Sequence, residues 1–422
     1  MKYIEDSLEE ADPLVYKLVK LEEKRQKDKL LLNAAISVSP KSVLEIQGSV
    51  FDNIDAEGYI PDYFNNETLE DLNDIEKQMS LYKKYRDDRC NKCCEYANII
   101  EALAKKRLAR VFSNPNAREE DILVNVQIPT GAIANYIVYD ALLKEKDLIL
   151  SLSLTDGGHT THGDKVHKTG KKYNFINFHA SPEKNSLNYD EIKALLKKHK
   201  PKMIVVGTSS FPLDIDWQKI RNLINENSKD TIFMADIAHT AGLVAGGVCN
   251  NPVGIADVVT MVTYKTLGGS RASAIITTDK KIGKKIDETI FPNFMGSELL
   301  LGVAGIAVTA NLAMTAEYKN TQAQIVKNSK ALCEELKKLN IPVVYGTSET
   351  HIVLVDCSKY GTGKEVANKL EDENILVSAC QVHTEKGYKE GIRLGTTFIT
   401  DQGMTEKDMR KVAIRLVKAL EQ

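Results

Sequence analysis

A chain of 422 residues is too long for one small core and is expected to divide into a larger and a smaller unit. Its 43% hydrophobic and 27% charged content is that of an ordinary globular protein, and 56 basic against 58 acidic residues leave a net charge of −2. That balance gives no reason to expect a nucleic-acid or membrane partner, and no apolar run is long enough to span a bilayer.

The opening "MKYIEDSLEEADP" is acidic and lacks the apolar stretch of a secretory signal. Seven cysteines, an odd count, fit reduced thiols, so a cytoplasmic location is expected. Residues 7–30, "SLEEADPLVYKLVKLEEKRQKDKL", read as a charged amphipathic helix or arm with little to bury alone, a kind that commonly packs on a neighbouring subunit. Cys90, Cys93 and Cys94 have neither a nearby histidine nor a second CxxC to complete four zinc ligands, and read as cysteines at a helix start. Apolar residues at three- and four-residue spacing then predict a helix over Glu95–Phe112.

Strands and helices alternate after that point. "LVNVQIP" leads through a glycine turn into the helical "AIANYIVYDALL", and "LILSLSL", "MIVVGTS", "TIFMADIA" and "VVTMVT" follow. Continuous apolar strands separated by helices predict a parallel sheet covered on both faces, an α/β architecture. From about Phe291 one long helical stretch leads into "HIVLVDC", a helical "GKEVANKLEDEN", "ILVSAC", "GIRLGT" and a last helix. The expected division is an arm over 1–50, a large α/β domain over 51–290 and a small C-terminal α+β domain over 291–422.

Four features lie at strand ends, where open α/β sheets bind ligands. Thr130, Gly131 and Ala132, in "IPTGAIAN", form a strand-to-helix turn whose free amides suit a phosphate, although such turns are common without a ligand. His159 and His162 share the glycine-rich "DGGHTTHG". Asp236 and His239, in "MADIAHTAG", follow an apolar strand; a carboxylate there either caps a turn or faces a cation. Lys265, in "ADVVTMVTYKTLGGSR", ends another buried strand beside Tyr264, and its amine either reaches solvent or does chemistry. A phosphate turn, a ring-stacking residue, an acid and a lysine, in that order, are the parts of a pyridoxal 5′-phosphate site. There the lysine bonds covalently to the aldehyde, and the acid keeps the pyridine nitrogen protonated.

In these motifs the chain resembles the serine hydroxymethyltransferase (glycine hydroxymethyltransferase) family. "LEEADPLVYKLVKLEEKRQK" is similar to the family's N-terminal arm; "DAEGY", "NVQIPTGAIAN", "DGGHTTHG", "DIDW", "DIAHTAGLVAGG", "VTYKTLGGSR" and "GIRLGT" follow in family order. The resemblance implies the aspartate-aminotransferase-like fold type I of pyridoxal phosphate enzymes, with a large parallel-rich sheet domain and a smaller C-terminal domain. It further implies Lys265 as the cofactor lysine and Asp236 on the pyridine nitrogen. His239 and Ser209 would contact the ring hydroxyl, and His159 would stack on the ring. Thr130, Gly131 and Ala132 would hold the phosphate, with Gly296 from the neighbouring subunit. Arg393 would grip the amino-acid carboxylate by a bidentate pair, and Glu57 would be an acid–base residue reaching the other subunit's site. A homodimer with shared sites, alone or paired into a tetramer, is therefore expected.

The departures from the family cluster around the substrate. Ala35 stands for a serine that helps bind the carboxylate, Asp55 for a tyrosine near the scissile bond, and Tyr264 for the histidine before the lysine. Ala132 replaces a serine of the phosphate loop, and Gly296-Ser297 replaces a Gly-Gly pair. A charged segment over about 60–93 is inserted two residues after Glu57, as surface elaboration or as a lid. The loop before "GIR", which contacts folate in the family, is the shorter "SACQVHTEKGYKEGIR". Tetrahydrofolate use is thus left open, with the altered loop weighing against it.

The leading expectation is an enzyme that makes or breaks the Cα–Cβ bond of a small β-hydroxy amino acid, by hydroxymethyl transfer between serine and glycine or by folate-independent aldol or transaldol reaction. Transamination, racemisation or decarboxylation on the same cofactor is the alternative, with Tyr264 a candidate for proton transfer at Cα or simply a packing residue. A pyridoxal phosphate-binding pseudoenzyme is the third, and retention of Lys265, Asp236 and Arg393 argues against it.

Overall fold

A seven-stranded sheet organises the larger part of the chain, which the computed structural model describes over residues 4–421. In spatial order its strands are Leu123–Ile128, Ser273–Thr277, Val258–Val262, Ile232–Asp236, Met203–Gly207, Leu148–Leu152 and Asn174–Phe178. Pairing is antiparallel only on the two sides of Ser273–Thr277 and parallel elsewhere. Strands Met203–Gly207 and Val258–Val262 are buried along their whole length, which is why they are not alternately polar. Ile204 and Val206 pack into one core with Leu108 and Phe112, whereas Met203 and Val205 face the opposite one with Ile137 and Tyr139. The α/β architecture with a mostly parallel sheet is thus present. Edge strand Asn174–Phe178 escapes the sequence pattern, because its exposed and partly buried residues, interleaved with asparagine, break the continuous apolar run.

The helix expected over Glu95–Phe112 has those bounds, with Cys94 buried at its start and Cys90 and Cys93 exposed before it. No residue of the inserted segment is among those lining the pocket formed at the strand ends. Its short turns and helix Ile75–Tyr85 bury Phe64, Leu69 and Leu72 against Ile99 and Ala102 of helix Glu95–Phe112.

The long helical stretch expected after Phe291 is two helices, Leu300–Ala313 and Ala316–Lys338, bent by 85°. The break falls at Thr315, whose hydroxyl accepts from the Tyr318 amide and caps the second helix. The first packs Val303, Ile306 and Ala310 into the sheet core; the second passes from that core at Ile325 to another at Leu332, Cys333 and Leu336. This second core also holds Leu30, Leu32, Val353, Ile392 and Leu416. Its sheet is antiparallel, ordered Ile352–Asp356, Gly387–Gly395 and Ser378–Thr384, the last two forming a hairpin. Among the described residues no single helix is long and apolar enough to cross a membrane. Helix Pro13–Asp28 buries none of its residues and leaves Leu14, Leu18 and Leu21 exposed.

Candidate active site

Parallel strands point their carboxyl ends to one edge of the sheet, so the loops that follow them meet there. Thr130, Gly131 and Ala132 follow strand Leu123–Ile128, His159 and His162 follow Leu148–Leu152, and Ser209 follows Met203–Gly207. With Asp236, His239, Tyr264 and Lys265 from the next two strands, they line one pocket. Nine residues singled out in the sequence as cofactor-binding or catalytic are therefore neighbours, although up to 135 positions separate them, from Thr130 to Lys265.

The charges in this pocket are arranged rather than merely collected. Asp236 accepts from Asn135 Nδ2 at 2.8 Å and the Ala238 amide at 3.0 Å, and its Oδ2 lies 3.2 Å from His162 Nε2. Burial alone would raise this carboxyl, but the hydrogen bond and charge of His162, then His159 and Asn135, outweigh it and hold it well below the usual carboxylate range. Asp236 is a lasting negative charge. Burial acts on the Lys265 amine in the opposite sense and pulls it down to about 8; Asp236 partly restores it and Arg393 lowers it further. Near neutral pH that amine is far more available as a nucleophile than an ordinary lysine. Burial also pulls His159 down to about 4, so its ring is an uncharged face above pH 5.

Three observations test whether a planar phosphorylated pyridine fits. The helix Gly131–Leu142 begins at the pocket wall with Thr130 as its cap, so free amides point at the cavity. A Cβ on Gly131 would stand 2.7 Å from Val262 Cγ1, so only glycine lets that turn sit so close to the strand. His239 is buried with its Nδ1 lacking any partner, a polar atom that a ring substituent would satisfy. The residues present fit the group.

Arg393 stands beside the pocket. Its Nη1 donates to the Ser209 carbonyl and to Ser210 Oγ at 3.3 Å, and its buried Nε has no partner, which leaves donors free for a carboxylate. Ala35 caps no charge there; its amide donates to Asn33 Oδ1 at 2.9 Å, and the Ala34 carbonyl lies 3.1 Å from His351 Nε2. The ring of His351 stacks on that of His239, with centroids 5.7 Å apart and planes 16° from parallel. Tyr264 lines the pocket and its ring carries the Arg271 guanidinium 4.7 Å from its centroid.

Glu57, Asp55 and Gly296 are not among the pocket-lining residues of their own chain. They form a separate group: Glu57 pairs with Ser297 in an antiparallel bridge, a Cβ on Gly296 would stand 3.5 Å from Glu57 Oε1, and Asp55 accepts from Asn91 Nδ2 at 2.8 Å.

Sequence reasoning missed Asn135, Thr161 and Thr208. Asn135 donates to both Asp236 and Thr161 and accepts from Thr260 Oγ1 at 2.7 Å. The available signal was an amide in the first turns of an otherwise apolar, fully buried helix face, where a polar group requires a partner. The shortened loop before Arg393 forms a hairpin. That hairpin is latched to buried Asp156, which accepts from Tyr388 Oη at 2.7 Å and lies 2.6 Å from His383 Nδ1.

Residues 80–416 match the family model described as serine hydroxymethyltransferase. The chain is 37% identical over 417 residues to the serine hydroxymethyltransferase of Lactobacillus johnsonii, across 98% of this chain and 93% of that protein. It is 36% identical over 417 residues, with the same coverage, to that of Lactobacillus gasseri. The matched span takes in every pocket residue described above, and the two relatives extend the likeness through the arm and the Glu57 segment, so this chain belongs to the serine hydroxymethyltransferase family.

Proposed function

We propose that this member of the serine hydroxymethyltransferase family is a pyridoxal phosphate-dependent transferase of fold type I that makes or breaks the Cα–Cβ bond of a small β-hydroxy amino acid. The observation that carries the reading is the single pocket joining an amine lowered to about 8 at Lys265, a permanently charged Asp236 and the helix start at Thr130–Ala132. When bound there, pyridoxal phosphate supplies an electron-withdrawing ring that accepts the electron pair left on Cα as the bond breaks.

The chain's own residues do the rest. Lys265 would hold the cofactor through its amine. Asp236 would keep a proton on the pyridine nitrogen, the neutral His159 ring would cover one face, and His239 with Ser209 would meet the ring hydroxyl. The amides at Thr130, Gly131 and Ala132 hold the phosphate. Arg393 would grip the substrate carboxylate and so orient the substrate in the pocket. Glu57 takes the proton from the β-hydroxyl as Cα–Cβ breaks and the carbonyl product forms.

Because Glu57, Asp55 and Gly296 stand apart from the Lys265 pocket of their own chain, we assign them to the site of a partner subunit in a homodimer. The unburied Leu14, Leu18 and Leu21 face of the N-terminal helix supports the same assembly. Folate-independent aldol cleavage is favoured over obligatory folate use by the hairpin Ser378–Gly395, which the Asp156 contacts to His383 and Tyr388 close down where an open loop would have to cradle a second ligand.

Incubating the holoenzyme with serine, threonine or alanine, each with and without tetrahydrofolate, tests the reading. Glycine and acetaldehyde from threonine without folate are expected; absence of glycine from both serine and threonine under every condition would overturn it. Arg393→Lys is expected to raise KM for the amino acid about 100-fold, roughly 2.7 kcal/mol, with kcat changed little, because a point ammonium cannot replace a bidentate fork. Steady-state kinetics check this, and a fall in kcat at unchanged KM would assign Arg393 elsewhere.

A further inference from the structure

The largest fully buried side chain outside the pocket is Arg89, at the end of the inserted segment and 32 positions from Glu57. A buried guanidinium is tolerable only when its donors are met. Here each arm of the fork has an acceptor. Nε donates to Asn98 Oδ1 at 2.7 Å, and Nη1 donates to the carbonyls of Ala56 and Gly58 at 2.5 and 3.0 Å. Nη2 donates to Glu101 Oε2 at 2.6 Å and lies 3.2 Å from Glu298 Oε1.

Two of those acceptors flank Glu57 in sequence. The carbonyl of Glu57 itself accepts from the neighbouring Cys90 amide at 3.0 Å, and the Gly58 carbonyl also accepts from Gln127 Nε2 at 2.9 Å. Three successive carbonyls of the Glu57 segment are therefore held, mainly by the pair Arg89-Cys90, while no side-chain bond among the described residues restrains the Glu57 carboxyl. From the other side, Glu57 bridges to Ser297, whose neighbour Glu298 ends at the same guanidinium.

Glu101 and Glu298 share this one buried cation, with Lys105 Nζ 3.8 Å from Glu101. Burial, and then the Glu101 carboxyl, push Glu298 well above the ordinary carboxylate range, while the Arg89 guanidinium opposes them.

We propose that Arg89 is a positioning residue whose buried fork clamps the Glu57 and Gly296–Glu298 segments into one rigid unit, and so sets where the Glu57 carboxyl stands in the reacting site. The proposal rests on the acid–base role assigned to Glu57 above. It also explains why the inserted segment ends where it does. The small core of Phe64, Leu69 and Leu72 docks that segment on helix Glu95–Phe112, which carries Asn98 and Glu101. Lysine cannot substitute, since one ammonium offers its donors from a point and cannot reach acceptors on three segments.

Holoenzymes carrying Glu57→Gln, Arg89→Lys and both changes provide the test, read by threonine cleavage and by amide hydrogen exchange over 55–59 and 295–299. Arg89→Lys is expected to lower kcat at least tenfold with KM for threonine within twofold, and to speed exchange at both segments. Glu57→Gln is expected to lower kcat about 100-fold, and the double variant to be no worse than Glu57→Gln within twofold. Parent-like kcat in Arg89→Lys, or losses that multiply in the double variant, would overturn the positioning role. Parent-like kcat in Glu57→Gln would instead remove the acid–base role, and unchanged exchange in Arg89→Lys would remove the clamp. Should Arg89→Lys not fold, Glu298→Ala leaves the Arg89–Glu101 pair intact and cuts the tie to Ser297. Faster exchange at 295–299 with kcat down at least threefold supports the clamp, and neither change overturns it.

Discussion

Replacing Lys265 with alanine is expected to lower turnover by about 10³-fold or more, roughly 4 kcal/mol in the barrier, while the protein stays folded. The stability part follows from burial: desolvation disfavours the charged amine, so its removal relieves rather than creates an unpaired charge. The chemical part follows from the amine's lowered value. At pH 8 about half of these amines are neutral, against roughly 0.4% of an ordinary lysine near 10.4. Cofactor capture by the apoenzyme therefore rises with pH through a midpoint near 8, because the neutral form is the nucleophile and is gained as pH increases. Borohydride reduction followed by mass measurement is decisive. The parent protein is expected to retain a reduced pyridoxyl group and Lys265→Ala none; equal masses would remove Lys265 from its role and the proposed mechanism with it.

The second large effect is at Asp236. Asp236→Asn is expected to lower kcat about 10²- to 10³-fold, roughly 3–4 kcal/mol, and to destabilise the fold by about 1–3 kcal/mol. Both carboxyl oxygens accept: Oδ2 from Asn135 and facing His162, Oδ1 from the Ala238 amide. An amide must put its NH₂ where a donor already points, so one buried hydrogen bond becomes a clash of donors. It also cannot balance a protonated pyridine nitrogen. The pH dependence has a definite sign. Because the folded carboxyl lies below its unfolded value of about 3.9, its stabilisation is fully present above that value and is lost only as pH falls through the depressed one. Activity of the parent between pH 5 and 8 is thus not limited by Asp236. Kinetics, thermal melts and cofactor retention on dialysis check these points. Asparagine supporting parent-like kcat would show that a fixed negative charge at this position is dispensable.

Much of this was legible in the chain itself. The strand runs around Val258–Val262 and Met203–Gly207 are apolar at every position because both faces of the sheet are covered, and that pattern survives without any coordinates. The pocket residues sit directly after such strands, so Lys265, Asp236, His159 and Thr130–Ala132 could be picked out from position and chemistry. Strand Asn174–Phe178 and the break at Thr315 were harder. An edge strand shows no continuous apolar signal, and a bend between two successive helices changes no local spacing.

By itself, the amino-acid order determined the α/β alternation, the order of the chemical groups along it and the family likeness, since these depend on local periodicity and on residues close in sequence. Tertiary structure alone decided what each ionisable group has become. The amine of Lys265 is lowered by surroundings drawn from several strands, Asp236 is held charged by Asn135 and His162, and Arg89 joins Ala56, Gly58, Asn98, Glu101 and Glu298. Desolvation and charge coupling act over a few ångströms in space, and no spacing along the chain encodes which distant side chains will stand within that range.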